Sequence, residues 1–187
     1  MGKYRAAIVG CSRIGGFIDN EVRGSYSYTV LPYSHAAGYT ACENTDLIAC
    51  SDLRTDVMLE FGRQYNIDQK QQYTDYKKMI DIEKPDILSV ATQPEIRSEI
   101  ILHALSKGVP AIYAEKPLSA SMNQAQEIFN AVERKGTIFN LGTNRRWDNG
   151  FNILKNLISN RNLGEIKSIT VFGGGGLFNS GSHWIDL

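Results

Sequence analysis

Three places in this sequence combine residue types and spacings that can do chemistry. The first is the corner Gly10-Cys11-Ser12-Arg13-Ile14-Gly15, which follows the apolar run Ala6-Ala7-Ile8-Val9 and leads into a segment able to open a helix. A glycine turn between strand and helix aims backbone amides and a helix N-terminus at an anion, which suits the grip of a pyrophosphate. Gly10 permits the sharp turn, and Gly15 lets helix and strand approach closely. Ser12 stands where a second glycine is expected; it narrows the approach of a phosphate but keeps an amide and adds a hydroxyl donor. The second place is Asp52, closing the apolar run DLIACS. An acid at such a strand end accepts hydrogen bonds from ribose hydroxyls. Asp52 lies further from the glycine corner than the usual ~20 residues, and an inserted loop over residues 17–34, polar and rich in tyrosine, accounts for the excess. The third is Lys116, set at a strand end between Glu115 and Pro117.

The elements that must position these residues alternate along the chain. Strands are expected over 6–9, 46–52, 86–91, 109–114 and 138–142, each a short apolar run bounded by turn residues. Helical spacing is expected over 33–42, 55–66, 74–82, 94–107 and 121–135. In the second of these, Val57, Met58, Phe61 and Tyr65 share a face; in the fourth, Ile96, Ile100, Ala104 and Leu105 point inward. In the fifth the inward set is Met122, Ala125, Ile128, Phe129 and Val132, with Ser121 and Gln124 as a capping box. This order implies a mostly parallel sheet with helices on both faces. From Thr143 the character changes: NRRW is a polar crossing, 149–159 a helix grouping Phe151, Leu154, Leu157 and Ile158, and 165–172 a strand of the antiparallel style. A lone strand is not stable by itself, so a second, sheet-forming domain is expected to begin near residue 143 and to be cut off.

Composition narrows the function classes. Of the 187 residues 42% are hydrophobic and 21% charged, with a net charge of zero, so the chain supports a core and carries no basic footprint for nucleic acid. No apolar run reaches the ~20 residues of a membrane span. Lys3 and Arg5 ahead of AAIVGC imitate a short leader, but the apolar stretch ends too soon, at Arg13. Cys11, Cys42 and Cys50 lack metal-ligand spacing and read as reduced thiols of a cytoplasmic protein, so no metal is expected. His35 reads as a capping or packing residue and His103 as structural or solvent-facing.

GCSRIGG, SHAAGY, SDLR, PDILSVATQP, AEKPLS, NRRW and FNSGSHWIDL occur in an order that resembles the Gfo/Idh/MocA oxidoreductases, the glucose–fructose oxidoreductase and inositol dehydrogenase family. The resemblance covers essentially the whole chain, and its most specific part is EKP after a strand with a downstream GxHxxD. It implies an α/β fold: a Rossmann-type doubly wound parallel sheet over residues 1–142, then the truncated start of an antiparallel α+β substrate and oligomerisation domain over 143–187. It also implies that Gly10, Ser12, Arg13, Ile14 and Gly15 cradle a nicotinamide dinucleotide. Asp52 would hold the adenosine ribose and favour NAD, while the nearby Arg54 keeps NADP open. Ala91, Thr92 and Pro94 correspond to the loop beside the cofactor, Glu115 and Lys116 to the nicotinamide end, and Arg145 to a cofactor or substrate contact. Lys116 and His183 correspond to the catalytic lysine and histidine, with Asn179 orienting the substrate.

Three departures from the family pattern matter. Asn179 replaces a common aspartate and cannot take a proton, Arg97 replaces the histidine of TPPxxH, and Ser12 replaces the middle glycine. They suggest a subgroup whose substrate carries a carboxylate for Arg97 or Arg145 to bind. The reading the resemblance implies is hydride transfer between a nicotinamide and a hydroxyl-bearing carbon of a sugar, cyclitol or related polyol. The full-length form would be a homo-oligomer, with neither nucleic acid nor membrane as partner. Two alternatives stay open: a dinucleotide-binding module without turnover, and a cofactor-bound regulatory protein.

Overall fold

The apolar runs pair into a single parallel sheet. In the computed structural model, which describes residues 2–23 and 31–170, the strands are β1 (Tyr4–Val9), β2 (Thr45–Ser51), β3 (Gln72–Tyr73), β4 (Ile87–Val90), β5 (Ala111–Ala114) and β6 (Ile138–Leu141). Their order is β3-β2-β1-β4-β5-β6, every neighbouring pair parallel. The chain therefore winds outward one way from β1, returns to β4 beside it, and winds outward the other way. This is the doubly wound Rossmann arrangement, in which a crevice opens at the carboxyl ends of β1 and β4.

Helices cover both faces. They are α1 (Ile18–Val22), entered through a π turn at Arg13–Phe17, α2 (His35–Ala41), α3 (Thr55–Tyr65), α4 (Tyr76–Glu83), α5 (Pro94–Ser106) and α6 (Met122–Lys135). Because side chains alternate along a strand, Ala7, Val9, Leu88, Val90, Ile112 and Ala114 fall on one face. There they pack with Ile100, Ile101, Ala104, Leu105 and Ile128. Ile8 and Cys50 fall on the other face with Cys11, Ala36, Met58 and Phe61. Each such large side chain, once fully buried, contributes about 1.5–3 kcal/mol relative to exposure.

Several expectations shift. The inserted loop begins later than residue 17, because the helix runs on to Val22, and residues 24–30 lie outside the described residues. Along α5 the inner face carries Arg97, Ile100, Ile101, Ala104 and Leu105, while Ile96 is exposed. Arg97 takes the inward position because its guanidinium finds carbonyl partners there. Along α6 the expected Ile128 is buried, with Ala125 and Val132 half-buried beside it; Ala131 joins them, while Met122 and Phe129 are exposed. Only half of the capping box forms: the Ser121 hydroxyl accepts the Gln124 amide at 3.3 Å, while the buried Gln124 Oε1 has no hydrogen-bond partner. β3, two residues long, carries no readable period and was not expected.

The chain divides into two compact units, Met1–Leu141 and Gly142–Leu187. In the second, a 3-10 turn at Asn144–Trp147 precedes α7 (Asn149–Ser159), whose first turn is capped by the Asp148 carboxylate accepting the Phe151 amide at 3.1 Å. Phe151, Leu154 and Leu157 are exposed. Residues 165–170 form no strand; among the described residues of this unit there is no strand for them to pair with, and residues 171–172 lie outside the described set.

Candidate functional site

The carboxyl end of β1 makes the glycine corner. Gly10 sits at φ +97°, and a Cβ there would lie 2.7 Å from the Ala91 carbonyl oxygen, so the corner is pressed against the end of β4. A Cβ on Gly15 would lie 2.0 Å from the Gly10 carbonyl oxygen, closer than real atoms approach. Both positions therefore require glycine. Gly16 does too, since its Cβ would stand 2.6 Å from the Phe61 ring, and its carbonyl accepts the Tyr65 hydroxyl and Gln64 Nε2. Ser12, by contrast, has an ordinary extended backbone at φ −79° and makes no side-chain cap bond, so its hydroxyl is not committed to the helix. The Arg13 guanidinium is paired with Glu21 at 2.7 Å on the surface.

Asp52 ties β2 to this corner. One carboxylate oxygen accepts the Cys11 amide at 2.8 Å and the other accepts the Arg54 amide at 2.9 Å. Each oxygen keeps a further lone pair for an outside donor. At the end of β4, Ala91 donates to the Val9 carbonyl at 2.8 Å, and the Thr92 hydroxyl oxygen is buried without a hydrogen-bond partner. Pro94 then opens α5 at a position where its missing N–H does no harm.

At the end of β5, Glu115 donates its amide to the Val90 carbonyl at 3.0 Å, which places Lys116 beside the β4 terminus. The Glu115 carboxylate turns inward: one oxygen meets His35 Nε2 at 3.2 Å, the other accepts the Lys116 amide at 3.3 Å. The Lys116–Pro117 bond is cis. Arg97 is 3% exposed and donates one Nη to the Thr92 carbonyl and the other to the Pro117 carbonyl. Burial pulls its guanidinium below the ordinary arginine value, an effect opposed by Glu115 and Glu95. Burial, then the charge of Glu115, push the Tyr113 phenol up to about 12. An open groove of about 450 Å³, lined by Asp81, Lys84, Asp86, Lys107 and Pro110 among others, lies at the opposite, amino end of β4 and β5.

Residues 4–143 match the model of the oxidoreductase family with an NAD-binding Rossmann fold, the GFO_IDH_MocA family. This chain belongs to that family. It is 26% identical to the myo-inositol 2-dehydrogenase of Thermotoga maritima over 131 residues, 70% of this chain and 38% of that protein. It is 28% identical to the glucose-6-phosphate 3-dehydrogenase of Bacillus subtilis over 138 residues, 74% of this chain and 38% of the relative. Its fold superposes with a TM-score of 0.73 on the scyllo-inositol dehydrogenase of Lactobacillus casei crystallised with NAD(H) and scyllo-inositol. That match covers 88% of this chain and 43% of the other at 17% identity. The chain thus spans well under half the length of the relatives it matches.

The residues present fit the family's dinucleotide. A glycine corner packed too tightly against backbone to admit a Cβ at Gly10 or Gly15, an acid with lone pairs to spare and an orphaned threonine hydroxyl stand at one edge of the sheet. Of the expected site residues, the structure gathers Gly10, Ser12, Arg13, Ile14, Gly15, Asp52, Arg54, Ala91, Thr92, Pro94, Glu115 and Lys116 at that edge. Asn179 and His183 lie outside the described residues, as does the side chain of Arg145. One expectation changes. Arg97 is not placed to bind a substrate carboxylate, because both Nη groups are spent on backbone carbonyls. Glu115 stands at the edge through its backbone, with its carboxylate turned to His35 in the interior. His35, read from sequence as a capping or packing residue, is the buried partner of Glu115; the signal for it was the polar Ser89 and Tyr113 inside otherwise apolar strands.

Proposed function

We propose that this chain carries the dinucleotide-binding part of an oxidoreductase that moves a hydride between NAD and a hydroxyl-bearing carbon of a sugar, cyclitol or related polyol. The observation that carries the reading is the convergence of the glycine corner, Asp52 and Lys116 on the carboxyl edge of the sheet where the strand order reverses. The names of the relatives, a myo-inositol 2-dehydrogenase and a glucose-6-phosphate 3-dehydrogenase, support a ring polyol as substrate. When bound, the dinucleotide supplies a carbon that accepts or gives the hydride. The free amides of the corner, at residues 12–15, hold its diphosphate, and Asp52 accepts from its adenosine ribose, which disfavours a 2′-phosphate. Arg54, exposed beside Asp52, keeps NADP as a weaker second choice. Lys116 polarises the substrate oxygen or helps move its proton, His183 takes the proton in the oxidation direction, and Asn179 orients the substrate.

Residues 143–187 are proposed as the beginning of a substrate and oligomerisation domain, with the full-length protein a homo-oligomer. A module that binds without turnover is the second reading for the 187-residue chain, favoured by its covering 38% of each of those relatives. Titration with NADH and NADPH, followed by fluorescence, tests the first step. Binding in the micromolar range with NADH preferred is expected, and loss of both would end the proposal. A polyol panel scored by NADH absorbance tests the second: little turnover from the 187-residue chain and clear turnover from the full-length protein are expected.

A further inference from the structure

The second face of the sheet changes character across its width. Strand register sets Cys50, Ile8, Ser89 and Tyr113 in one row, apolar over β2 and β1 and polar over β4 and β5. Ser89 is fully buried, and a hydroxyl there is costly unless bonded. Its partners come from α2: the Tyr39 hydroxyl at 2.8 Å and His35 Nδ1 at 2.9 Å. The His35 ring stacks on Tyr113 with centroids 4.5 Å apart, and its Nε2 reaches the Glu115 carboxylate. A carboxylate only accepts, so Nε2 carries a hydrogen. Burial raises the Tyr39 phenol and keeps it a donor. With a neutral imidazole the donors run in one direction, Tyr39 to Ser89 to His35 to Glu115.

The same corner is held from α5. The planar fork of Arg97 reaches two carbonyls at once, those of Thr92 and Pro117, a geometry a lysine's single ammonium cannot copy. Residue 115 is thus fixed through its carboxylate and residue 117 through its carbonyl, with Lys116 between them. His35 and Arg97 are 7% and 3% exposed, so neither is placed as a surface ligand.

We propose that His35 and Arg97 are positioning residues for Lys116: through the Glu115 carboxylate and the Pro117 carbonyl they hold the corner that presents its ammonium group to the reacting oxygen. This rests on the oxidoreductase reading for what the ammonium does, not for where it is held. A misplacement near 1 Å can cost a reaction about 100-fold, so the frame acts on rate more than on cofactor affinity.

The test uses the full-length protein with Arg97→Lys, Arg97→Met and His35→Gln. Three quantities are read: NADH affinity, kcat and KM on the best polyol, and the acetylation rate of Lys116 by trace anhydride, measured by peptide mass spectrometry against Lys3 and Lys70. The expected result for Arg97→Met is a fall in kcat of roughly 10- to 100-fold that exceeds the changes in KM and in NADH affinity. Arg97→Lys should recover part of it, and Lys116 acetylation should change several-fold while the reference lysines do not. Folded variants with unchanged kcat and unchanged Lys116 acetylation overturn the frame and leave the oxidoreductase reading standing. Altered Lys116 acetylation in a protein whose wild type oxidises no polyol supports the frame and ends that reading. Should Arg97→Met not fold, Arg97→Lys and His35→Gln decide by the same measures.

Discussion

At the scale of single residues, the corner distinguishes positions that must be glycine from one that need not be. Gly15 has no room for a methyl group, because the Gly10 carbonyl oxygen would lie 2.0 Å from it, and that oxygen belongs to backbone rather than to a flexible side chain. Gly15→Ala is therefore expected to cost about 1–3 kcal/mol of stability through overpacking. The same shift spreads the turn proposed to face the diphosphate, so NADH affinity should fall by tenfold or more. Ser12 is the control: its φ of −79° is one any residue adopts, and Ser12→Gly should leave NADH affinity within about threefold. Thermal denaturation and NADH fluorescence on the 187-residue chain measure both; equal effects from the two substitutions would contradict the assignment. The need for glycine at 10 and 15 is legible from type and spacing, because a tight turn is local, and the place of Asp52 is legible from the strand it closes. Arg97 and His35 were not, since each draws its partners from distant parts of the chain: the Pro117 carbonyl 20 residues away and the Glu115 carboxylate 80 residues away.

At the scale of elements, the helix that follows the glycine corner is interrupted and then resumed, and Asp19 bridges the gap. Its carboxylate oxygens accept the amides of Tyr33 and Ser34 at 2.8 and 2.9 Å, and Ser34 in turn caps α2 by accepting the Ala37 amide. Burial alone would raise the Asp19 carboxyl, but bonds from the Ser34 hydroxyl and these two amides outweigh it and hold it below its ordinary value. The unfolded chain consequently takes up the proton first as acid is added. The stabilisation is complete above about pH 4 and is lost as pH falls through the lower folded-state value. Asp19→Asn should cost about 1–3 kcal/mol at neutral pH. Its stability gap to wild type should stay constant from about pH 7 to 5 and narrow below about pH 4, as read by urea denaturation. A gap that persists unchanged to pH 3 would refute it. Sequence pattern foresaw helix at 33–42 and a break before it, yet not Asp19, because a carboxylate accepting amides across an insertion leaves no periodic trace. For the same reason single positions on α5 and α6 escape the pattern: hydropathy alone ranks Ile96 and Phe129 as interior, while packing seats Arg97 and Ala131 there beside the expected Ile100, Ala104, Leu105 and Ile128.

At the scale of the whole molecule, the two ends of the sheet are chemically unlike. The carboxyl edge gathers the glycine corner, Asp52, Thr92 and Lys116. The amino edge holds the open groove between Lys84 and Pro110, where α4 and α5 end and their dipoles are negative. Alternating strands and helices made the parallel sheet readable from pattern alone, and the family resemblance fixed its winding. β3 escaped because two residues carry no period. With a net charge of zero, a dinucleotide is drawn by local amides and helix termini rather than by the field of the whole protein. NADH at 100 times its dissociation constant should stabilise the folded 187-residue chain by about 2.7 kcal/mol, a rise in Tm of roughly 5–11 °C for a chain of this size. Hydrogen exchange locates the effect. Slowed amides are expected at residues 10–16, 52–54, 91–93 and 115–116, on both sides of the point where the strand order turns. The amides lining the groove, from Lys84 to Asp86 and from Lys107 to Val109, should exchange as before. Protection centred on that groove instead would mean that the ligand sits at the wrong edge of the sheet, and Asp52 and Lys116 would lose their proposed roles with it.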